Sequence, residues 1–225
     1  MKSNRSFKAA IFDMDGVIVD NDIYHIQAWC EFCKKKGIPF DESTFRTKFF
    51  GKNTRDTFHG LLDHQLTEDQ INALGEEKEK IYRDIYQDHI APVNGLIPFL
   101  TDLKASGIKT AVATSAPTRN LDFILDNLNI RHFFNILVDA TGIAKGKPDP
   151  EIFLKAARLL GVSPADCVVF EDSISGISSG MNAGMSVIAL ATTHKVRELP
   201  VTPIVINNFS EITTKKVTEC LTKLS

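Results

Sequence analysis

The chain has 225 residues, of which 43% are hydrophobic, so it can bury the core of one large domain or of a domain with an insertion. Its formal net charge is -2, from 26 basic and 28 acidic residues, which provides no field for nucleic acid or an anionic membrane. No apolar run approaches the roughly 20 residues of a membrane span, and the polar residues 1–8 do not look like a signal peptide. We therefore expect a reduced, cytoplasmic monomer that binds neither nucleic acid nor membranes.

Short apolar segments alternate with helical patterns over most of the chain. Strands are predicted at residues 7–12, 109–113, 136–138, 167–170, 186–190 and 204–206. They are rich in Val, Ile and Ala and lack strict alternation, as is typical of parallel strands that helices cover on both faces. Helices are predicted at residues 96–106, 149–160, 173–183 and 211–224. This order indicates an α/β fold built on an open, doubly wound parallel sheet.

Residues 20–90 interrupt this alternation with helical patterns alone, predicted at residues 22–36, 42–50, 54–62 and 67–88. A connection of this length predicts an inserted helical subdomain at the carboxyl edge of the sheet, where ligands of open α/β sheets bind. We expect it to act as a lid, so that residues 1–19 and 91–225 form the core and 20–90 a cap. Cys30 and Cys33 form a C-x-x-C in the first of these helices, either as a zinc or redox site or as two thiols on a helix face.

Asp13 and Asp15 follow the first predicted strand directly, in the segment Ala9-Ala10-Ile11-Phe12-Asp13-Met14-Asp15-Gly16. Burying two like charges is costly, and at close range they push each other's pKa apart. A divalent cation commonly offsets such a pair, although a solvated acidic turn would give the same pattern.

Three further strand ends carry matching polar groups. The second strand ends in Thr114-Ser115-Ala116-Pro117, whose hydroxyls and amides can bind phosphate oxygens at the following helix start or simply cap that helix. Lys147 lies in the tight turn Gly146-Lys147-Pro148-Asp149-Pro150, and the fourth strand ends in Glu171-Asp172-Ser173. Since the carboxyl ends of parallel strands meet at one edge, we predict that these groups share a site.

The chemistry that this set allows is phosphoryl transfer. Asp13, Asp172 and the backbone carbonyl of Asp15 can hold Mg2+ through oxygen ligands. Asp13 can then attack phosphorus, while Lys147 and the Thr114 side chain neutralise the transferring oxygens. Asp15 is placed to protonate the leaving oxygen and then to take a proton from the incoming nucleophile.

The set of motifs resembles the haloacid dehalogenase-like superfamily. The matching segments, in order, are Asp13-Met14-Asp15-Gly16-Val17-Ile18-Val19-Asp20, Thr114, Lys147-Pro148-Asp149-Pro150 and Glu171-Asp172-Ser173. The resemblance implies a Rossmann-like core, a helical cap, Mg2+ dependence and an aspartyl-phosphate intermediate. It makes Asp13 the nucleophile and Asp15 the acid and base, with Asp172, and Glu171 nearby, serving the metal.

Within the superfamily the chain is similar to the branch of β-phosphoglucomutases and sugar-phosphate phosphatases. His25 resembles a histidine at the start of the mutase cap, although a polar position on a cap helix is an equal alternative. Lys78 matches a mutase lysine that faces the substrate, with a solvated helix lysine as the alternative. Mutases have a cap arginine three positions after a glycine. Here Arg55 lies one position farther from Gly51, and Lys52 is a rival counterpart. The turn Thr192-Thr193-His194 resembles the phosphatase branch instead.

Three functions follow, in order of preference. The first is a Mg2+-dependent phosphatase for a small phosphorylated metabolite, such as a sugar phosphate. The second is a β-phosphoglucomutase that uses the same intermediate. The third is a protein that binds a phosphorylated ligand without turnover.

Overall fold

The structure, a computed structural model, describes residues 7–49, 54–62 and 66–223 and divides into two compact units. One unit comprises Met1–Asp20 and Ile90–Ser225 and contains the sheet, whereas the other, Asn21–His89, is helical. Lys52, and residues 50 and 224 at the ends of two predicted helices, lie outside the described residues. Within the described ranges, no helix combines the length and the apolar character needed to cross a membrane.

Over the residues that the structure describes, the sheet has six parallel strands in the order β3-β2-β1-β4-β5-β6. They are β1 (Ala9–Phe12), β2 (Lys109–Ala113), β3 (Ile136–Val138), β4 (Cys167–Glu171), β5 (Ser186–Leu190) and β6 (Ile204–Ile206). This is the doubly wound sheet that the sequence predicts. The strand order reverses between β1 and β4, and such a reversal is where open α/β sheets bind their ligands.

Five helices belong to the sheet unit, and four others form the helical unit, counted over the described residues. The sheet unit contains α5 (Leu96–Ala105), α6 (Thr118–Asn127), α7 (Glu151–Leu160), α8 (Ile174–Asn182) and α9 (Thr214–Lys223). The helical unit contains α1 (Asp22–Lys36), α2 (Glu42–Lys48), α3 (Thr54–Leu61) and α4 (Glu68–Tyr86).

Several element boundaries differ from the sequence prediction. β1 begins at Ala9 rather than at residue 7, and β4 extends to Glu171, so that this carboxylate belongs to the strand itself. The last helix begins at Thr214 and not at residue 211, because a separate 3-10 turn occupies Phe209–Glu211. The helix predicted from residue 149 begins at Glu151, after Pro150.

Aromatic packing holds the central strands together. The rings of Phe12 on β1 and Phe170 on β4 stack with centroids 4.7 Å apart, and Phe99 and Phe209 pack against both. All four side chains are buried. Fully burying such a ring stabilises the fold by about 1.5–3 kcal/mol, so this cluster fixes the register of the two strands.

The helical unit has its own aromatic core. Trp29 and Phe32 of α1 pack against each other and against Phe58 of α3, with centroids 5.3–5.8 Å apart. The two thiols of the C-x-x-C lie on α1, Cys30 exposed and Cys33 buried. Burial raises the pKa of Cys33 to about 11, which disfavours the thiolate that metal binding and redox exchange require.

Candidate active site

Asp13 lies at the carboxyl end of β1, directly beside the end of β4. Phe12 pairs with Phe170 in the parallel ladder, and the Asp13 backbone N–H donates to the Phe170 carbonyl at 3.0 Å. Asp13 and Glu171 therefore emerge next to each other at the point where the strand order reverses. The buried Phe12–Phe170 stack beneath them prevents the two strand ends from slipping past each other.

Lys147 joins these two carboxylates. Its Nζ donates to Oδ1 of Asp13 at 2.8 Å and to Oε1 of Glu171 at 2.5 Å. The lysine side chain is only 9% exposed and that of Glu171 is fully buried, so water screens the pair of contacts weakly.

Two side chains of α8 hold the turn that carries Lys147. The Ser179 hydroxyl donates to the carbonyl of Asp149 at 2.7 Å, and the Asn182 amide donates to that of Pro148 at 3.0 Å. Lys147 is thus held in two ways: its ammonium group contacts the carboxylates, and the backbone that follows it is hydrogen-bonded to α8.

Glu171 is held by the loop that follows it. Its Oε2 accepts the backbone N–H groups of Asp172 and Ser173, both at 2.8 Å, and the Ser173 hydroxyl at 3.0 Å. Ser173 also caps α8 by accepting the N–H of Gly176. A Cβ at Gly176 would lie 1.7 Å from Oε1 of Glu171, so the helix can approach this carboxylate only because position 176 has no side chain.

Three buried carboxylates form one cluster. Oxygens of Asp13, Glu171 and Asp172 lie within 4.8 Å of one another. Four residues were predicted to serve a metal, and three of them form this cluster. The side chain of the fourth, Asp15, does not belong to it. That the backbone carbonyl of Asp15 binds the metal stays a prediction. Oxygen donors at this spacing suit a hard divalent cation.

The electrostatics of the cluster also favour a cation. Burial raises the pKa of Asp13 to about 7, against the lowering effect of Lys147. Burial likewise raises the pKa of Asp172 well above its usual value, and the charges of Glu171 and Asp13 add to the effect. Burial alone lowers the pKa of Lys147, but the two carboxylates outweigh it and the pKa lies above its ordinary value. One lysine thus does not neutralise three carboxylates.

The predicted phosphate-binding turn follows β2. Thr114 is buried, and its Oγ1 accepts the backbone N–H of Ala116 at 3.0 Å, so part of its role is to shape the turn. Ser115 is exposed. The Thr114 N–H donates to the Val138 carbonyl at 2.9 Å, which fixes the turn against the end of β3.

The helical unit contains a buried polar cluster on α1 and α4. Lys78 is only 4% exposed, so the alternative of a solvated helix lysine is wrong. Its Nζ lies 2.8 Å from Oε1 of Glu79 and 3.1 Å from Nδ1 of His25, and 5.2 Å from the centroid of the Trp29 ring. The His25 ring stacks on Tyr82 at 3.9 Å. Sequence analysis named Lys78 and His25 separately and did not predict that they are neighbours; their roles toward a substrate stay predictions.

Arg55, one of the two rival counterparts of the mutase cap arginine, pairs at the surface. Arg55 forms an exposed ion pair with Glu68 at 2.5 Å, both side chains being more than half exposed. Lys52 lies outside the described residues.

Two contacts at the sheet edge were missed by sequence reasoning. Thr193 donates its hydroxyl to Oδ2 of Asp172, and Thr192 donates its hydroxyl to the Gly16 carbonyl at 2.6 Å. The sequence singled out Thr192-Thr193-His194 as a turn typical of one branch but assigned it no contact. A pair of hydroxyl residues one position after the end of β5 was the available signal.

Comparison with known proteins agrees with this geometry. The family model described as "Hydrolase: haloacid dehalogenase-like hydrolase" matches residues 7–184. A β-phosphoglucomutase of Bacillus subtilis is 36% identical over 192 residues, covering 81% of this chain and 83% of that protein. A phosphorylated carbohydrates phosphatase of Thermotoga maritima is 31% identical, covering 79% of this chain and 82% of that protein.

A solved structure with the same fold supports the assignment. The crystal structure of a HAD hydrolase, family IA, variant 3, from Entamoeba histolytica superposes with a TM-score of 0.87 at 30% identity, covering 95% of this chain and 99% of that one. With buried acidic residues at the ends of β1 and β4 and a lysine between them, the chain belongs to the haloacid dehalogenase-like hydrolase family.

Proposed function

We propose that this hydrolase is a Mg2+-dependent phosphatase that releases phosphate from a small sugar phosphate through phosphorylated Asp13. The observation that carries the proposal is the contact of the buried Lys147 ammonium with Asp13 and Glu171 at the strand-order reversal. A fixed cation beside a carboxylate can draw a phosphate anion to that carboxylate. The names of the two relatives, a mutase and a phosphatase for phosphorylated carbohydrates, support the substrate class.

The proposed reaction has two steps at Asp13. A carboxylate oxygen of Asp13 attacks phosphorus, the bond from phosphorus to the ester oxygen breaks, and Asp15 gives its proton to the departing sugar oxygen. A water molecule then attacks the phosphorus of the acyl phosphate and gives a proton to Asp15. Inorganic phosphate leaves and the Asp13 carboxylate is regenerated, so protons balance over the cycle.

The donor set of the acidic cluster fits Mg2+. Asp13, Asp172 and Glu171 bring oxygens within 4.8 Å of one another, and their buried excess of negative charge calls for a counter-ion. When bound, Mg2+ would neutralise charge on the phosphate and so let an anionic carboxylate approach an anionic ester. Glu171 already receives hydrogen bonds on both oxygens, so Asp13 and Asp172 are the stronger ligand candidates.

Lys147 and the turn after β2 would bind the phosphate oxygens. Lys147 supplies a buried positive charge, and the turn Thr114-Ser115 supplies hydroxyl and amide donors. Ser115 is exposed and Thr114 is buried. We therefore assign Thr114 and Lys147 the larger share of transition-state stabilisation.

Two measurements test the proposal. A panel of phosphorylated sugars and polyols, followed by phosphate release with and without Mg2+, should reveal hydrolysis that depends on the metal. An Asp13→Asn variant keeps the size of the side chain but removes the nucleophilic charge, and it should lose this activity. Full phosphate release by Asp13→Asn would rule the mechanism out.

A second function is favoured by a specific observation. The Bacillus subtilis relative is named a β-phosphoglucomutase, and Lys78 is buried beside His25 in the helical unit. Incubation with β-glucose 1-phosphate and a sugar bisphosphate primer should produce glucose 6-phosphate if the chain is a mutase. Release of free phosphate alone would exclude it.

A further inference from the structure

The loop that follows β5 contacts both acidic strand ends. The Thr193 hydroxyl donates to Oδ2 of Asp172, which follows β4. The adjacent Thr192 hydroxyl donates to the carbonyl of Gly16, in the turn that follows β1, at 2.6 Å. Two consecutive threonines thus connect the loop after β5 to the turn after β1 and to the residue that follows β4.

Gly16 also confines the Asp172 carboxylate. A Cβ at Gly16 would lie 2.0 Å from Oδ2 of Asp172, so the carboxylate packs directly against the bare backbone of this residue. Gly16 has φ +74°, a conformation that favours glycine, and it could not accept a side chain there without strain. Oδ2 of Asp172 is therefore confined by both the Gly16 backbone and the Thr193 hydroxyl.

This confinement matters because a carboxylate can rotate about its last torsion. A hydroxyl donated to one oxygen removes that freedom and sets which lone pairs face the neighbouring carboxylates. The hydrogen bond of the Thr193 hydroxyl is to Asp172, so its effect on the site would pass through this carboxylate.

We propose that Thr193 is a positioning residue for the cation site: its hydroxyl fixes the Asp172 carboxylate against Gly16 and thereby sets the affinity of the acidic cluster for a divalent cation. This inference rests on the proposed metal-dependent function. Hydrogen bonds to metal-binding carboxylates typically change metal affinity by about 10–100-fold, which gives the expected size of the effect.

The test is a titration of the whole 225-residue chain with Mn2+ in the absence of substrate, followed by electron paramagnetic resonance of the free ion. Thr193→Val keeps the shape of the side chain and removes the hydroxyl, and it should weaken Mn2+ binding by about 10–100-fold. Thr193→Ser keeps the hydroxyl and should bind Mn2+ within a few-fold of the unmodified protein. If Thr193→Val does not fold, Thr193→Ala removes the same hydroxyl with a smaller side chain.

A matched control separates positioning from general loss of stability. Thr202 lies before β6, at the amino edge of the sheet, and its hydroxyl donates to the Ile204 carbonyl at 2.9 Å. Thr202→Val removes a comparable hydrogen bond but should leave Mn2+ affinity unchanged. Thermal melts without metal record how much each variant destabilises the fold.

The outcomes distinguish this inference from the proposed function. If the unmodified protein binds no Mn2+, the metal-dependent function itself fails. If it binds Mn2+ and folded Thr193→Val or Thr193→Ala binds equally well, only the role of Thr193 is overturned. Equal weakening in Thr193→Val and Thr202→Val would also overturn it, because the effect would not depend on the contact with Asp172.

Discussion

Lys147 donates to Oδ1 of Asp13 at 2.8 Å, so the proposed phosphate-binding cation lies directly against the proposed nucleophile. The same ammonium contacts Glu171, whose other oxygen is held by the loop before α8. The contact orients the Asp13 carboxylate, but the neighbouring positive charge also makes this carboxylate a weaker nucleophile toward phosphorus. A substrate phosphate and a divalent cation would each compete for one partner of this pair.

Removing the Lys147 ammonium should therefore affect stability and activity together. Lys147→Met leaves Asp13 and Glu171 buried without their cation, and breaking such a pair typically costs about 3–5 kcal/mol. Losing one charged donor to a transferring group typically lowers kcat by about 10²–10³-fold. Urea unfolding and phosphate release measure the two effects. Millimolar Mg2+ should recover part of the stability and little of the activity.

The neighbouring lysine provides the control for this variant. Lys145 is 76% exposed, and its Nζ lies 4.0 Å from Asp149 at the surface. Lys145→Met should change the free energy of unfolding by less than about 0.5 kcal/mol. If Lys147→Met and Lys145→Met had the same free energy of unfolding, the Lys147 ion pairs would not contribute to the stability of the protein.

The stabilising effect of Mg2+ should increase with pH. In the folded protein without metal, burial raises the pKa of Asp13 from its ordinary value of 3.8 to about 7. Between these values the folded state binds more protons than the unfolded state, so the free energy of unfolding falls as pH rises. Mg2+ binds the ionised carboxylates and opposes this loss.

Thermal melts at matched ionic strength check this pH dependence. The rise in Tm on adding Mg2+ should be small near about pH 5.5 and larger near about pH 8, above the pKa of Asp13. Asp172→Asn should reduce the rise at the higher pH. A Mg2+ effect that is the same at both pH values would contradict the raised pKa of Asp13.

The sheet and the location of the site could be predicted because buried parallel strands have continuous apolar segments. Asp13 and Glu171 are adjacent in space because each follows such a segment, and the carboxyl ends of parallel strands meet at one edge. Helix ends were less certain, since nothing in the pattern separates the 3-10 turn at Phe209–Glu211 from the helix that begins at Thr214.

The supporting contacts could not be predicted in the same way. Thr193 and Asp172 are 21 positions apart and lie in different loops, and a threonine in a loop has no periodicity that would identify its partner. The closeness of Gly176 to Glu171 depends on how α8 packs above the strand end, which no local pattern specifies. These contacts are consequences of tertiary packing.

Gly176 offers a test in which two effects oppose each other. Gly176 lies in the first turn of α8, and replacing Gly by Ala in a helix typically stabilises it, by up to about 1 kcal/mol in the interior. In Gly176→Ala, however, the new Cβ would lie 1.7 Å from Oε1 of Glu171 and would displace it from Lys147. We expect a net loss of stability and of phosphate release. Ser178→Ala on the same helix, which removes only a bond to the Ile174 carbonyl, should retain both.

Lys78 tests whether the helical unit selects the substrate. Lys78→Met removes the ammonium beside Glu79 and His25 and keeps most of the apolar volume that packs near Trp29. If Lys78 binds the sugar portion, KM for the preferred sugar phosphate should rise. Hydrolysis of acetyl phosphate, which has no sugar portion to bind, should change little.

An exposed arginine of the same unit supplies the comparison for that variant. Arg55 pairs with Glu68 at the surface, so Arg55→Met should leave KM for the sugar phosphate nearly unchanged if Lys78 is the selecting residue. A rise in KM for Arg55→Met but not for Lys78→Met would reverse the assignment. Equal losses on sugar phosphate and acetyl phosphate in Lys78→Met would instead indicate a structural role, because a buried cation paired with Glu79 also contributes to packing of α1 against α4.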